Sequence, residues 1–276
     1  MKAITECEIS RAQIDDFERD GVICLRGVVS EGDVAMLRDE IKKSLEPNNP
    51  RFRNVTANAG NDAPVGNFLS SVLLWRDSPL LKNFTHNSNL LAFAGKLLRS
   101  TKVNLFFDQT FVKEPGAKEP TPWHTDYSHW PLIGEQILTF WIALDHITPE
   151  SSTVEFVRGS HKWERKFQPE SFSGPNKLII DPTLEKVPDI EAEREKYDIV
   201  FWTLDPGDIL VFNGRTLHGS QGNRTPNLMR RGYVIRYTGD DVVYDPRPTT
   251  TPALRQEDLV AGKPIDSVHY PTVVHS

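Results

Sequence analysis

Apolar positions recur at helical spacing through residues 10 to 46, interrupted by the short apolar run Val22 to Leu25, which predicts helix, strand, helix. Ser10 can cap the first helix, and Ser30 with Asp33 makes a capping-box start for the second, which should end near Pro47. Residues 48 to 67 are rich in Asn, Pro and Gly and read as a loop, after which helical periodicity returns from about Val72 to Leu98. The first hundred residues are thus expected to be mainly helical. From Thr101 the pattern changes to short β-branched and aromatic runs between Pro/Gly turns, at 101 to 113, 122 to 127, 136 to 144, 152 to 157, 208 to 212 and 229 to 238. No helical pattern separates them, so they predict a sandwich or barrel rather than a parallel α/β sheet. Residues 162 to 200, with Pro169, Pro175, Pro182 and Pro188, interrupt this rhythm. A stretch of that length is either a lid or substrate-binding loop, or a tolerated surface excursion.

Composition narrows the function. With 276 residues, 38% of them hydrophobic, the chain can build one large domain or two small ones. No window approaches the roughly 18 consecutive apolar residues of a bilayer-spanning helix. The acidic start lacks the apolar stretch of a secretory signal, so a cytosolic protein is expected. Lys plus Arg number 32 against 38 Asp plus Glu, and no basic block is long enough to follow a phosphate backbone, so nucleic acid is not an expected partner. Cys7 and Cys24 are too few for a disulfide scaffold or a Cys-rich zinc module. A metal here would be held by His and carboxylate.

Trp123-His124-Thr125-Asp126 offers such ligands, because residues i and i+2 of an extended chain share a face. The spacing alone carries no weight: with eight His in the chain, chance supplies roughly one His-x-Asp/Glu, and one occurs. Context adds weight. Asp205-Pro206-Gly207-Asp208 reads as a turn, Ile209 to Phe212 as a buried strand, and His218 follows at the next strand boundary. Two His and one carboxylate can occupy one face of an octahedral ion and leave the other open, as in non-haem Fe(II) oxygenases, whereas a structural zinc site wants a fourth protein ligand. Farther on, Arg230, Gly232, Val234 and Arg236 share one strand face, and Arg231, Tyr233, Ile235 and Tyr237 the other. If the first face looks inward, Arg230 can present its guanidinium fork to a carboxylate; otherwise these are solvent-facing strand arginines.

Taken in order, Trp123-His124-Thr125-Asp126, Trp141-Ile142-Ala143-Leu144-Asp145, Arg158-Gly159-Ser160-His161-Lys162, Pro206-Gly207-Asp208 with His218-Gly219-Ser220, and Arg230-Arg231 resemble the phytanoyl-CoA dioxygenase family, over about Gln13 to Pro248. The resemblance implies a mainly β protein with a double-stranded β-helix (jelly-roll, cupin-like) core and flanking helices. The whole chain then forms one domain: helices in 1–100, core in 101–248 with the insertion 162–200, and a tail in 249–276. It implies Fe(II), 2-oxoglutarate and O2, with no haem and no nicotinamide. His124, Asp126 and His218 resemble the iron ligands, and Arg230 the arginine that holds the distal carboxylate of 2-oxoglutarate. Ser220, Thr139 and Trp141 resemble positions lining the cosubstrate pocket. Arg230 falls one residue later than the family spacing from the distal His, which leaves Arg231 as the alternative.

Gln109 and Lys113 share a strand face from which they can reach the cosubstrate, or they are plain strand surface. His129 can touch substrate or lie at the surface, and His161 and His146 read as structural. Phe107, Trp130 and Trp202 are candidates for an apolar wall or for core. The implied chemistry is oxidative decarboxylation of 2-oxoglutarate to succinate and CO2, coupled to oxidation of an unactivated C–H of a small organic metabolite. A carboxylate at 126 favours hydroxylation or desaturation over halogenation, since related halogenases carry a small residue there. A metal-dependent hydrolase or isomerase on the same barrel, and a non-catalytic ligand-binding barrel, are the competing classes.

Overall fold

The computed structural model describes residues 8–58, 66–170 and 179–275. Its helical part and first strands are α1 (Arg11–Asp20), β1 (Val22–Leu25), α2 (Glu31–Ser44), β2 (Phe52–Asn54), β3 (Phe68–Val72), α3 (Pro79–Asn87) and α4 (Leu90–Leu98). The strands that follow are β4 (Lys102–Lys113), β5 (Thr121–His124), β6 (Leu132–Ile133), β7 (Ile137–Ala143), β8 (Glu155–Val157) and β9 (Ile199–Val200). The chain ends with β10 (Ile209–Asn213), β11 (His218–Ser220), β12 (Arg230–Thr238), β13 (Val243–Tyr244) and β14 (Thr272–His275). Among the described residues no helix is long and apolar enough to cross a membrane.

Antiparallel pairing builds a large sheet in the order β1-β10-β7-β12-β4-β3-β2, with β14 added on β4, and a second sheet in the order β5-β11-β8-β9. This is the mainly β, jelly-roll architecture with flanking helices that the resemblance implies. Alternation along the central strands sets the layers. Phe140 and Ile142 of β7 and Tyr233, Ile235 and Tyr237 of β12 join Leu37, Ile41, Phe84 and Leu97 of the helices in one core. Each such side chain, fully buried, contributes roughly 1.5–3 kcal/mol, so the helices are held by this face rather than by their own propensity. The opposite face presents Trp141 and Val234, which pack with Phe212 and with Phe156 of the small sheet. The two sheets therefore close on each other, and the site lies between them.

Helix ends follow the sequence closely. Ser10 Oγ accepts from Gln13 N at 3.2 Å while Gln13 Oε1 accepts from Ser10 N at 2.8 Å, a complete capping box. At α2 the box is half made: Ser30 Oγ accepts from Asp33 N, but the Asp33 carboxylate accepts from the Ser30 hydroxyl instead of its backbone.

Four expected boundaries differ. The helix expected from Val72 to Leu98 is the end of strand β3, a turn and two helices, because Leu73 takes a left-handed φ of 57° and Ser88 restarts the chain after α3. The expected loop 48–67 carries β2, paired with β3. The strand expected at 122–127 stops at His124, and Asp126 opens a 3-10 turn, Asp126–His129. The expected tail is part of the sheet through β14.

Candidate metal centre and adjoining cavity

Strand β5 pairs with β11 so that His124 lies directly opposite His218, with ring centroids 4.2 Å apart. Each imidazole is oriented by its own backbone: His124 Nδ1 donates to the Pro122 carbonyl at 2.8 Å, and His218 Nδ1 to the Thr216 carbonyl at 2.9 Å. A carbonyl can only accept, so each Nδ1 carries a proton, and Nε2 is the ring nitrogen left to face a metal. Thr125 continues extended, and the turn that follows aims Asp126 back at the pair; Tyr127 N fixes that turn by donating to the Gly214 carbonyl at 2.8 Å. His124 Nε2 and Asp126 Oδ1 are 3.6 Å apart, and one ligand atom from each of His124, Asp126 and His218 falls within 4.8 Å of the others. Among the described residues this is the one such group. Two imidazoles and one carboxylate suit a divalent first-row metal with open positions.

The electrostatics agree with that use. Burial first, and then the neighbouring His124, push His218 down to about 3, so it stays neutral and able to ligate. Burial drives Asp126 upward, but Arg236, His124 and His218 overcome it and hold the carboxyl well below the usual range, so it stays ionised. Asp126 Oδ2 also accepts from Thr139 Oγ1 at 3.3 Å and, weakly, from Arg236 Nε at 3.5 Å. Thr139 thus faces the carboxylate rather than the cavity wall.

These three side chains line a cavity of about 240 Å³ between the sheets, together with Gln109, Trp141, Ser220 and Arg230. Arg230 is fully buried; its Nε donates to the Ser152 carbonyl at 3.0 Å and its guanidinium lies 4.7 Å over the Trp141 ring. Burial without a carboxylate partner pushes it down to about 9. Lys113, opposite Arg230 in the β12–β4 register, is also fully buried and donates to Ser220 Oγ at 3.0 Å and to the Gln221 carbonyl at 2.8 Å. Burial, aided by Arg230, pushes Lys113 well below its ordinary value. Arg231 points the other way and clasps Asp145 through Nε and Nη2 at 2.9 and 2.6 Å. One end of the cavity wall therefore carries the desolvated Arg230 guanidinium without a carboxylate partner, with Lys113 hydrogen-bonded to the lining Ser220, which is the environment an anionic ligand would complete.

Gln109 reaches the cavity and donates to Ser70 Oγ at 3.1 Å. His129, Phe107 and Trp130 line the cavity; Trp202 does not, and packs on Phe156 instead. His161 donates to the Glu18 carbonyl at 3.2 Å and lies over Gly21 at the end of α1, and His146 pairs with Asp205 at an exposed site. None of the described part of 162–200 lines the cavity; Thr251, Ala253 and Leu254 do, from the segment expected to be a tail. Sequence reasoning assigned no role to that segment or to Arg236. For Arg236 the signal was available, since it shares strand parity with Arg230.

A double-stranded β-helix with a two-histidine, one-carboxylate set opening on an internal cavity defines the class of cupin-like non-haem metal oxygenases. Within that class the chain belongs to the phytanoyl-CoA dioxygenase (PhyH) family, whose model matches residues 17–232. It is 24% identical to an ectoine dioxygenase of Bordetella bronchiseptica over 274 residues, which cover 94% of this chain and 87% of that protein. The fold matches the crystal structure of the non-heme alpha ketoglutarate dependent carbocyclase SnoK from nogalamycin biosynthesis, with a TM-score of 0.78 and 22% identity over 96% of this chain and 97% of that one. It also matches the epimerase SnoN in complex with Fe3+, alpha ketoglutarate and nogalamycin RO, with a TM-score of 0.72 and 22% identity over 94% and 96% of the two chains.

Proposed function

We propose that the protein is an Fe(II)- and 2-oxoglutarate-dependent dioxygenase that oxidises an unactivated C–H of a small organic metabolite, by hydroxylation in the first instance. In that reaction 2-oxoglutarate, O2 and R–H become succinate, CO2 and R–OH, one oxygen atom entering each of succinate and product. The observation that carries the reading is a single cavity with the His124, Asp126 and His218 donors on its wall and the Arg230 guanidinium, without a carboxylate partner, at one end beside Ser220, which accepts from the buried Lys113. His124, Asp126 and His218 would hold the metal, which supplies the redox chemistry when bound. Arg230, seconded by Lys113 and Ser220, would bind the distal carboxylate. The Trp141 ring lies against the Arg230 guanidinium, with its centroid 4.7 Å from Cζ. A hydrolase or isomerase using the same three ligands has no need of the cationic end.

The relatives' names support the cofactors and leave the outcome open, since a dioxygenase, a carbocyclase and an epimerase share this architecture. The test is anaerobic titration of the Fe(II)-loaded protein with 2-oxoglutarate, followed by succinate and product analysis with a metabolite panel in air. The reading expects stoichiometric cosubstrate binding and substrate-stimulated succinate. In Asp126→Ala, iron retained per chain should fall to about a tenth or less, because an oxygen donor is lost from a three-donor set. A metal-loaded protein that does not bind 2-oxoglutarate, or a variant that keeps its iron, sinks the reading.

A further inference from the structure

Arg236 is the second guanidinium on the cavity wall, and its surroundings differ from those of Arg230. It is 3% exposed and stacks between Phe107 and Trp130, with its Cζ 4.3 and 5.5 Å from the two ring centroids. A guanidinium carries five N–H donors. Among the described residues Arg236 uses one of them, the long 3.5 Å contact from Nε to Asp126, and the buried Nη1 has no acceptor. Thr139, its cross-strand neighbour on β7, has already given its hydroxyl to the same carboxylate. The protein thus keeps a cation desolvated beside the metal ligands with its Nη end unsatisfied, which is unfavourable unless something else supplies the acceptor.

Charge points to what that is. Among the described residues, Asp126 is the one acidic side chain on the cavity wall, against Arg230 and Arg236. A divalent metal adds two positive charges and a 2-oxoglutarate dianion removes two. Even with Lys113 neutral, one positive charge is left over in a low-dielectric space. The rest of the wall near Arg236 is mostly apolar, with Phe107, Trp130, Val72, Ala253 and Leu254, and carries His129 and Thr251 as its polar residues.

We propose that the Nη end of Arg236 is the docking point for the carboxylate of the prime substrate, which is therefore a small monocarboxylic acid with an apolar body. The inference rests on the oxygenase reading and deepens it. The guanidinium fixes the acid group through paired N–H donors, and the aromatic and aliphatic wall takes the body, so the carbon to be oxidised is held at a set distance from the metal ligands.

Matched pairs of acids and primary amides test this: benzoate and benzamide, phenylacetate and phenylacetamide, cyclohexanecarboxylate and cyclohexanecarboxamide. Each is titrated by calorimetry, without oxygen, into protein loaded with Fe(II) and 2-oxoglutarate, so that binding and not turnover is read. Acids should bind about tenfold or more tighter than their amides, the scale of a desolvated charge-assisted pair. In Arg236→Gln that preference should shrink to within about twofold, while 2-oxoglutarate affinity stays within about threefold of wild type. Arg236→Lys, which keeps the charge, should restore part of it. Three results overturn the proposal. One is a wild-type protein that binds 2-oxoglutarate but prefers no acid over its amide, which leaves the oxygenase reading standing and needs no variant to fold. Another is loss of 2-oxoglutarate affinity in Arg236→Gln with the acid preference intact, which assigns the Nη end to the cosubstrate's metal-side carboxylate. The third is equal loss of iron, acids and amides in both variants, which makes Arg236 only a prop for Asp126.

Discussion

Replacing Arg230 by Met separates what this residue does for the fold from what it does for binding. In the ligand-free protein the guanidinium is enclosed, has the Ser152 carbonyl as its hydrogen-bond acceptor, and is pushed down to about 9 by burial alone. Set against a solvated arginine, that depression corresponds to roughly 5 kcal/mol of unfavourable burial. Met removes the charge and keeps an unbranched apolar stem against Trp141, at the loss of one hydrogen bond worth about 1 kcal/mol. The ligand-free variant should therefore unfold at higher urea, with a gain of about 1–3 kcal/mol once relaxation is allowed for. Binding moves the opposite way. A carboxylate that loses a buried cationic partner loses about 3 kcal/mol, so the 2-oxoglutarate dissociation constant should rise about a hundredfold in anaerobic calorimetry, less whatever Lys113 recovers. Arg231→Met is the control: its clasp on Asp145 is half-exposed, so the loss is about 1 kcal/mol of stability with 2-oxoglutarate affinity unchanged. If Arg231→Met abolishes binding and Arg230→Met does not, the cationic end of the cavity has been misread. If Arg230→Met destabilises the ligand-free fold, the argument from burial is wrong.

Two further changes probe the scaffold. Asp108 is wholly buried on the helix side of β4, accepts from Tyr233 Oη at 2.6 Å and Trp75 N at 2.9 Å through Oδ2, and is pushed up to about 6 by burial. A carboxyl whose folded value is raised favours the fold below its unfolded value near 4, and that contribution is lost as pH rises through 6. Asp108→Asn should match wild type in urea unfolding near pH 4 and exceed it by up to about 3 kcal/mol at pH 7; a difference that does not change with pH refutes the assignment. Gly232 sits on β12 against the Trp141 indole, where an added Cβ would collide with the ring. Gly232→Ala should lose about 1–3 kcal/mol and, by tilting Trp141 away from Arg230, weaken 2-oxoglutarate binding as well; unchanged binding would uncouple the indole from the guanidinium.

Much of this was legible because the residues concerned sit on regular strands. The alternation of β12 predicts which four residues face inward, and the structure puts Arg230, Val234 and Arg236 on the cavity wall and Tyr233, Ile235 and Tyr237 under the helices. The two histidines were legible as strand-boundary residues, although their opposition depends on the β5–β11 register, which no local pattern encodes. Asp126 was proposed for a reason the structure changes. It converges with His124 because the chain turns after Thr125, and the i, i+2 parity of a continuing strand is not what brings them together. Phe68–Val72 illustrates the ambiguity of a short apolar run, which fits either a strand or the first turn of a helix until its partner on β4 is known.

The segment after Pro248 was illegible for a different physical reason. Its role comes from pairing at long range: Thr272 and Val274 join Asn104 and Val103 of β4, and Leu254 Cα is followed by a backbone whose carbonyl accepts from Tyr270 Oη. Neither contact leaves a periodic signature in a stretch this rich in turns. Those contacts fix where residues 251–254 cross the cavity, beside Phe107, Trp130 and Arg236 rather than beside Arg230. The wall that would meet the prime substrate is therefore assembled from pieces far apart in sequence, whereas the end that would hold the cosubstrate is built from neighbouring strand positions in register. A change confined to 251–254 should then alter which molecule is oxidised while leaving His124, Asp126, His218 and Arg230 in place, because among the described residues the hydrogen bonds that orient them run to Pro122, Thr139, Thr216 and Ser152.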